Sequence, residues 1–157
     1  MGINEEFWNS WLKKNKNIII YNDDGSIDVD KSVDIRGSNI SKIIPKFNIV
    51  HGCFIISDNN LETFENSPKI LLETEKYWGS LYCFNNPIKS FKGLNADGIQ
   101  SYIYLDLTFD KSAISIDKQI IKAIQRNDIK WLLLNNKNIN LSGYEIISRY
   151  LKGELFS

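Results

Sequence analysis

His51 is the single histidine of the chain, so any Ser/His/Asp or Cys/His scheme has to run through it. A general base acts only with a nucleophile and an orienting group within hydrogen-bond reach, and no motif in the sequence supplies them. His51 also aligns with Trp78 between two repeats, which marks the position as one for a large flat side chain at a strand entrance. Cys53 and Cys83 have neither a CxxC neighbour nor a His/Cys cluster, so both are read as small hydrophobes rather than zinc ligands or nucleophiles. Asp23, Asp24, Asp28 and Asp30 raise the question of calcium, but the D-x-D-x-D-G spacing counted back from Gly25 puts the first ligand at Ile20. A hairpin turn followed by a half-solvated strand accounts for the same aspartates. Neither a phosphate-cradling glycine loop nor H-E-x-x-H occurs. The sequence therefore predicts no enzyme, no cofactor and no metal.

Bulk properties narrow the partners. The 157 residues are 43% apolar, enough for one domain with its own core, and 19 basic residues balance 19 acidic ones. With no basic excess, nucleic acid is disfavoured as the primary partner. The segment Met1-Gly-Ile-Asn-Glu-Glu has no basic leader region and the longest apolar runs, such as Ile18–Tyr21, are far too short to span a bilayer. No membrane association and a cytoplasmic location are the expectations. Lys13, Lys14 and Lys16 form a small basic run, read as the solvated end of a helix.

The elements that must position any site follow from periodicity. Phe7, Trp8, Trp11 and Leu12 fall on one side of a helix over Asn4 to Lys14, with Asn4 as its cap, Glu5 and Glu6 in the first turn and Lys13 and Lys14 in the last. Ile18–Tyr21 and Ile27–Val29, separated by Asp23-Asp24-Gly25, form a hairpin expected to pair with the edge of the repeat strands. Val33–Ile43, Phe54–Phe64 and Leu81–Phe91 then align without gaps, with apolar columns Val33/Phe54/Leu81, Ile35/Ile56/Cys83, Ile40/Leu61/Ile88 and Ile43/Phe64/Phe91. Polar corners at Gly37–Asn39, Asp58–Asn60 and Asn85–Pro87 separate the columns. Such self-similarity predicts a solenoid. Gly52 and Gly79 share a column that suits a tight strand entry or a close approach between coils, and an insertion around Leu72 to Lys76 lengthens the second coil. Tyr102–Leu107, one 21-residue step after Leu81, reads as a fourth strand with Tyr102 and Tyr104 inward. After residue 110 the pattern turns helical, at Asp117–Ile124 and from Ser142 onward, with Trp131–Leu134 as a short buried segment.

Alternation along these strands sends Ile55/Ser57, Tyr82/Phe84 and Ile103/Leu105 to a second face that grows more apolar from Asp34/Arg36 onward. Exposed sheet faces normally carry polar residues, so something covers this one. Packing of the C-terminal helices is one solution. The other is a partner-binding patch of Ile55, Trp78, Tyr82 and Phe84, with Arg36 at its edge.

The run Asp24–Ile35, then Ile40–Pro45, Val50-His-Gly-Cys-Phe54, Asp58-Asn-Asn-Leu61, Ser67-Pro-Lys69 and Trp78–Asn86, resembles the leucine-rich-repeat-like proteins of large tailed bacteriophages, over residues 22–95. The resemblance implies a phage or prophage origin and carries no catalytic motif. The fold class expected is therefore α/β: a short leucine-rich-repeat-like solenoid with an N-terminal helix and hairpin cap (1–31), coils over 32–110 and a helical C-terminal cap (111–157), all in a single domain. The function expected is a non-enzymatic protein–protein interaction module, an anti-defence inhibitor of a host effector such as a CRISPR nuclease, acting on a host or phage protein in the host cytoplasm. Two alternatives accompany it. One is a nucleic-acid-associated module using Lys13, Lys14, Lys16, Arg36 and Lys42; the other is a self-associating structural protein in which a two-fold homodimer buries the apolar face.

Overall fold

Helix α1 (Ile3–Lys14) opens the fold in the computed structural model, which describes residues 2–107, 110–116 and 122–123. Its acidic first turn and basic last turn complement the helix dipole, and its apolar side packs Trp8, fully buried, with Phe7, Trp11 and Leu12 against the core. Asn4 does not cap this helix. Gly2 takes the cap position, and Asn4 instead caps a neighbouring segment: its Oδ1 accepts the Ser41 and Lys42 N–H groups at 2.8 and 3.2 Å. Together with the Trp8 indole N–H on the Lys42 carbonyl, 2.8 Å, this pins the helix to the 41–42 backbone.

The strands assemble into two sheets that share one hydrophobic core. The first has the order β1 (Ile19–Tyr21), β2 (Ile27–Val29), β4 (Phe47–His51) and β6 (Ile70–Leu72); β1 and β2 form the antiparallel hairpin, and the remaining pairs are parallel. The second has the order β3 (Val33–Asp34), β5 (Phe54–Ile55), β7 (Leu81–Cys83) and β8 (Ile103–Leu107), all parallel, closed by antiparallel β9 (Asp110–Ile116). Phe47 and Phe54, one from each sheet, meet edge to face at 5.0 Å.

This architecture corrects the sequence expectations. Among the described residues there is one α-helix of any length and no repeating helix/strand unit, so the leucine-rich-repeat-like solenoid, and with it the resemblance to the phage proteins of that kind, does not hold. The described residues form a small α/β domain built from one helix and two sheets. The physical reason lies in the segments between the second-sheet strands. Pro45 and Pro68 stop helix propagation, and Asn39, Asp58, Asn66 and Gly37 sit at positive φ, which no continuous helix tolerates. The aliphatic and aromatic stretch Phe47–His51 then forms a strand of the other sheet. The hairpin likewise pairs with β4 in the first sheet rather than with the repeat strands. Residues 110–116 form β9 where a helical cap was expected; the remaining C-terminal expectations, Trp131–Leu134 and the helix from Ser142 among them, lie outside the described residues.

The aligned columns nevertheless correspond to physical rows. Val33, Phe54, Leu81 and Ile103 are in register across four strands and all are buried. Each corner is held from inside by an asparagine. The Asn59 Oδ1 accepts the Ser38 and Ile40 N–H groups at 3.0 and 3.3 Å, and its Nδ2 donates to the carbonyls of Ile35, Ile56 and Ser57. Asn86 repeats the arrangement one layer on, accepting from Leu61 N and donating to the Ile56 and Phe84 carbonyls. Backbone groups that turn away from a ladder are thereby satisfied in the interior. Gly79 marks a close approach: a Cβ there would lie 2.7 Å from the Leu71 carbonyl oxygen.

Candidate functional site

The parallel register of the second sheet places Asp34, Ile55, Tyr82 and Tyr104 side by side on its outward face. Phe84, two residues beyond Tyr82, falls on the same side. The row therefore runs from charged to aromatic across four neighbouring strands.

At its aromatic end the rings form one contiguous cluster. Tyr82 and Tyr104 stack at 4.8 Å with their planes 16° apart. Phe84 contacts both, at 6.5 and 6.1 Å, and Tyr102 adjoins Tyr104 at 5.9 Å. Trp78 extends the chain of rings by an edge contact with Tyr102 at 5.9 Å. Trp78 and Tyr102 are the open members, 58% and 47% exposed, whereas Ile55, Tyr82, Phe84 and Tyr104 are half-buried. Burial pushes the Tyr82 phenol above its ordinary range, with Cys53 and Tyr104 adding to the effect. Beneath the cluster the Cys53 thiol contacts the Trp78 carbonyl oxygen at 2.9 Å, and the buried Ser57 hydroxyl accepts the Phe84 N–H at 2.9 Å. These bonds fix the strand ends from which the rings project.

Tyr104 lies on the face opposite to the one expected from the sequence. A 21-residue step from Leu81 pairs it with Tyr102, but the register pairs Leu81 with Ile103 and Tyr82 with Tyr104. A one-residue slip exchanges the two faces of a strand, so Ile103 is in the core and the tyrosines belong to the outward cluster. The alternation of Ile103, Leu105 and Leu107 with Tyr102, Tyr104 and Asp106 was the signal that could have revealed it. Ser57 departs from expectation as well, since it is buried rather than outward.

Of the predicted patch, Ile55, Tyr82 and Phe84 are thus on one surface, and Trp78 joins them through Tyr102. Arg36 lies at the charged end, where its guanidinium grips Asp34 through Nε and Nη2 at 3.0 and 2.8 Å. That carboxylate, with Asp58 nearby, holds the arginine above its ordinary pKa. The other chemically suggestive residues lie elsewhere. His51 ends β4, half-buried, in register with Leu72. Asp24 turns onto the Ser26 hydroxyl and N–H, which hold its carboxyl below the usual range, and Asp28 accepts from Asn22, Asn48 and the Ile49 N–H. These are hairpin and inter-strand bonds. Among the described residues no group of three or more His, Cys, Asp or Glu side chains is arranged to hold a metal, and no helix is long and apolar enough to cross a membrane. No family model, curated protein or solved structure matches the chain.

Proposed function

We propose that this chain is a non-enzymatic protein-binding module whose contact surface is the aromatic face of the second sheet. The observation that carries the proposal is the chain of rings Trp78, Tyr102, Tyr104 and Phe84, successive centroids 5.9, 5.9 and 6.1 Å apart, mounted on a hydrogen-bonded ladder and exposed at the Trp78 end. Tryptophan and tyrosine dominate the energetics of protein interfaces because they bring large apolar area with few rotatable bonds. The ion pair at the charged end of the row, Asp34–Arg36, is internally neutralised, which suits a partner read by shape and apolar contact. The narrower expectation, an inhibitor of a host defence effector encoded by a phage, drew on a resemblance that the fold overturns.

Affinity capture with tagged protein, after nuclease treatment of the lysate, tests this reading when run beside a Trp78→Ser/Tyr102→Ser variant. Both side chains are exposed enough for the variant to fold. The expected result is one protein retained by the parent chain and lost by the variant. Equal capture by both, or retention of nucleic acid alone, would reject the aromatic face as the contact surface.

A further inference from the structure

A second surface, remote in sequence from the aromatic face, has the marks of a strand-addition site. Among the described residues, strand β1 is the terminal strand of the first sheet. Ile20 pairs with Asp28 in the hairpin, the Asp30 N–H donates to the Ile18 carbonyl at 2.9 Å, and the Asn22 N–H donates to the Ser26 carbonyl at 2.8 Å. Paired and unpaired residues alternate in an antiparallel ladder, so the backbone N–H and C=O of Ile19 and Tyr21 turn to the outer edge, where no strand pairs with them among the described residues. Folded chains ordinarily blunt such edges, and two others here are treated that way. On β3 the Asp34 carboxylate accepts the Arg36 N–H at 3.2 Å, and beside β6 Leu71 bridges to Ile99. On β1, by contrast, Ile20 and Tyr21 are both 63% exposed. Alongside Tyr21 runs an open groove lined also by Leu12, Lys13 and Lys16, with Glu6 as its one acidic group.

We infer that β1 accepts an extended acidic peptide segment of a partner as an added strand, its backbone pairing with Ile19 and Tyr21 and its carboxylates meeting Lys13 and Lys16. Main-chain bonds supply affinity in this mode, and pockets for alternate side chains supply selectivity. Charge decides the occupant. A second copy paired two-fold about β1 would bring both sets of lysines to the same groove, whereas an acidic strand neutralises them.

The test is fluorescence anisotropy with a labelled octapeptide alternating valine and glutamate, titrated with the full chain. Saturable binding is expected, weakened at least ten-fold by N-methylation of alternate peptide nitrogens and by lysine in place of glutamate. Tyr21→Pro removes an outward donor without touching the hairpin ladder and should cost a similar factor. Should its melting curve show that Tyr21→Pro does not fold, Lys13→Glu/Lys16→Glu, both on the surface, is expected to abolish binding of the acidic probe. Absence of binding, equal binding of the N-methylated or lysine peptide, or displacement by a single-stranded oligonucleotide would overturn the inference. So would a dimer, seen by sedimentation, that the charge-reversed variant dissolves or strengthens.

Discussion

Replacing Asn59 by alanine should destabilise the fold far more than any other change of one exposed or buried asparagine at the same corner. Asn59 is 6% exposed and serves five backbone groups. Two of these have other partners, since the Ile56 carbonyl also accepts from Asn86 and the Ser57 carbonyl from the Gly37 N–H. Ser38 N–H, Ile40 N–H and the Ile35 carbonyl are left with no alternative among the described residues. Each buried polar group deprived of its partner costs about 1–3 kcal/mol; allowing for water at half-exposed Ser38, the three together cost about 3–5 kcal/mol. That is a large part of the roughly 5–15 kcal/mol that holds a domain folded, and corresponds to a fall in Tm of about 6–20 °C for a chain of this length. The neighbouring Asn60 is exposed, and among the described residues its side chain donates to the Asn39 side chain alone, at 2.8 Å, while its backbone N–H bond to the Ile40 carbonyl survives truncation, so Asn60→Ala should cost less than about 1 kcal/mol. Urea unfolding followed by circular dichroism measures both. A loss for Asn59→Ala within about 1 kcal/mol of that for Asn60→Ala would refute the assignment of the internal asparagines as the ties between layers.

Gly79→Ala should lower stability by about 1–3 kcal/mol, because its Cβ would press on backbone atoms of Leu71, Leu72 and Glu73 that have no rotamer through which to retreat; thermal denaturation reads the loss. Trp8→Phe keeps a ring in the core but orphans the Lys42 carbonyl, so a cost of about 1–3 kcal/mol is expected, with the 41–42 backbone losing amide protection in hydrogen exchange. In an alkaline spectrophotometric titration, the component removed by Tyr82→Phe should have its midpoint above the ordinary tyrosine value. The folded state holds this proton more tightly than the unfolded chain, so its contribution to stability is complete below pH about 10 and is lost as pH rises through the folded-state value.

Several features were legible in the residues because local chemistry determines them. The spacing of Phe7, Trp8, Trp11 and Leu12 matches the buried side of α1, Asp23-Asp24-Gly25 turns the hairpin, the column through Val33 is a row of the second sheet, and the column through Ile35 is buried just beyond it. Ile55, Tyr82 and Phe84 followed from simple alternation. What lies between the columns was not legible. Ile40 and Ile43, like Leu61 and Phe64, are three residues apart and suit a helix, yet all four are buried from irregular segments whose course depends on positive φ at Asn39, Asp58 and Asn66. Asparagine and aspartate visit that conformation without announcing it. The resemblance to leucine-rich-repeat-like proteins misled for the same reason: apolar columns and asparagine corners are shared by stacked strands however the chain travels between them. Tyr104 was lost to a step of 22 residues where 21 was assumed, which inverted a whole strand.

The claim that the aromatic face is a protein contact surface is tested most directly by placing a photo-reactive phenylalanine analogue at Tyr102, and at exposed Lys89 as a control, and irradiating living cells that express each form. A covalent adduct with one other protein is expected from position 102 and none from position 89. Adducts confined to the chain itself, or the same set of products from both positions, would contradict it.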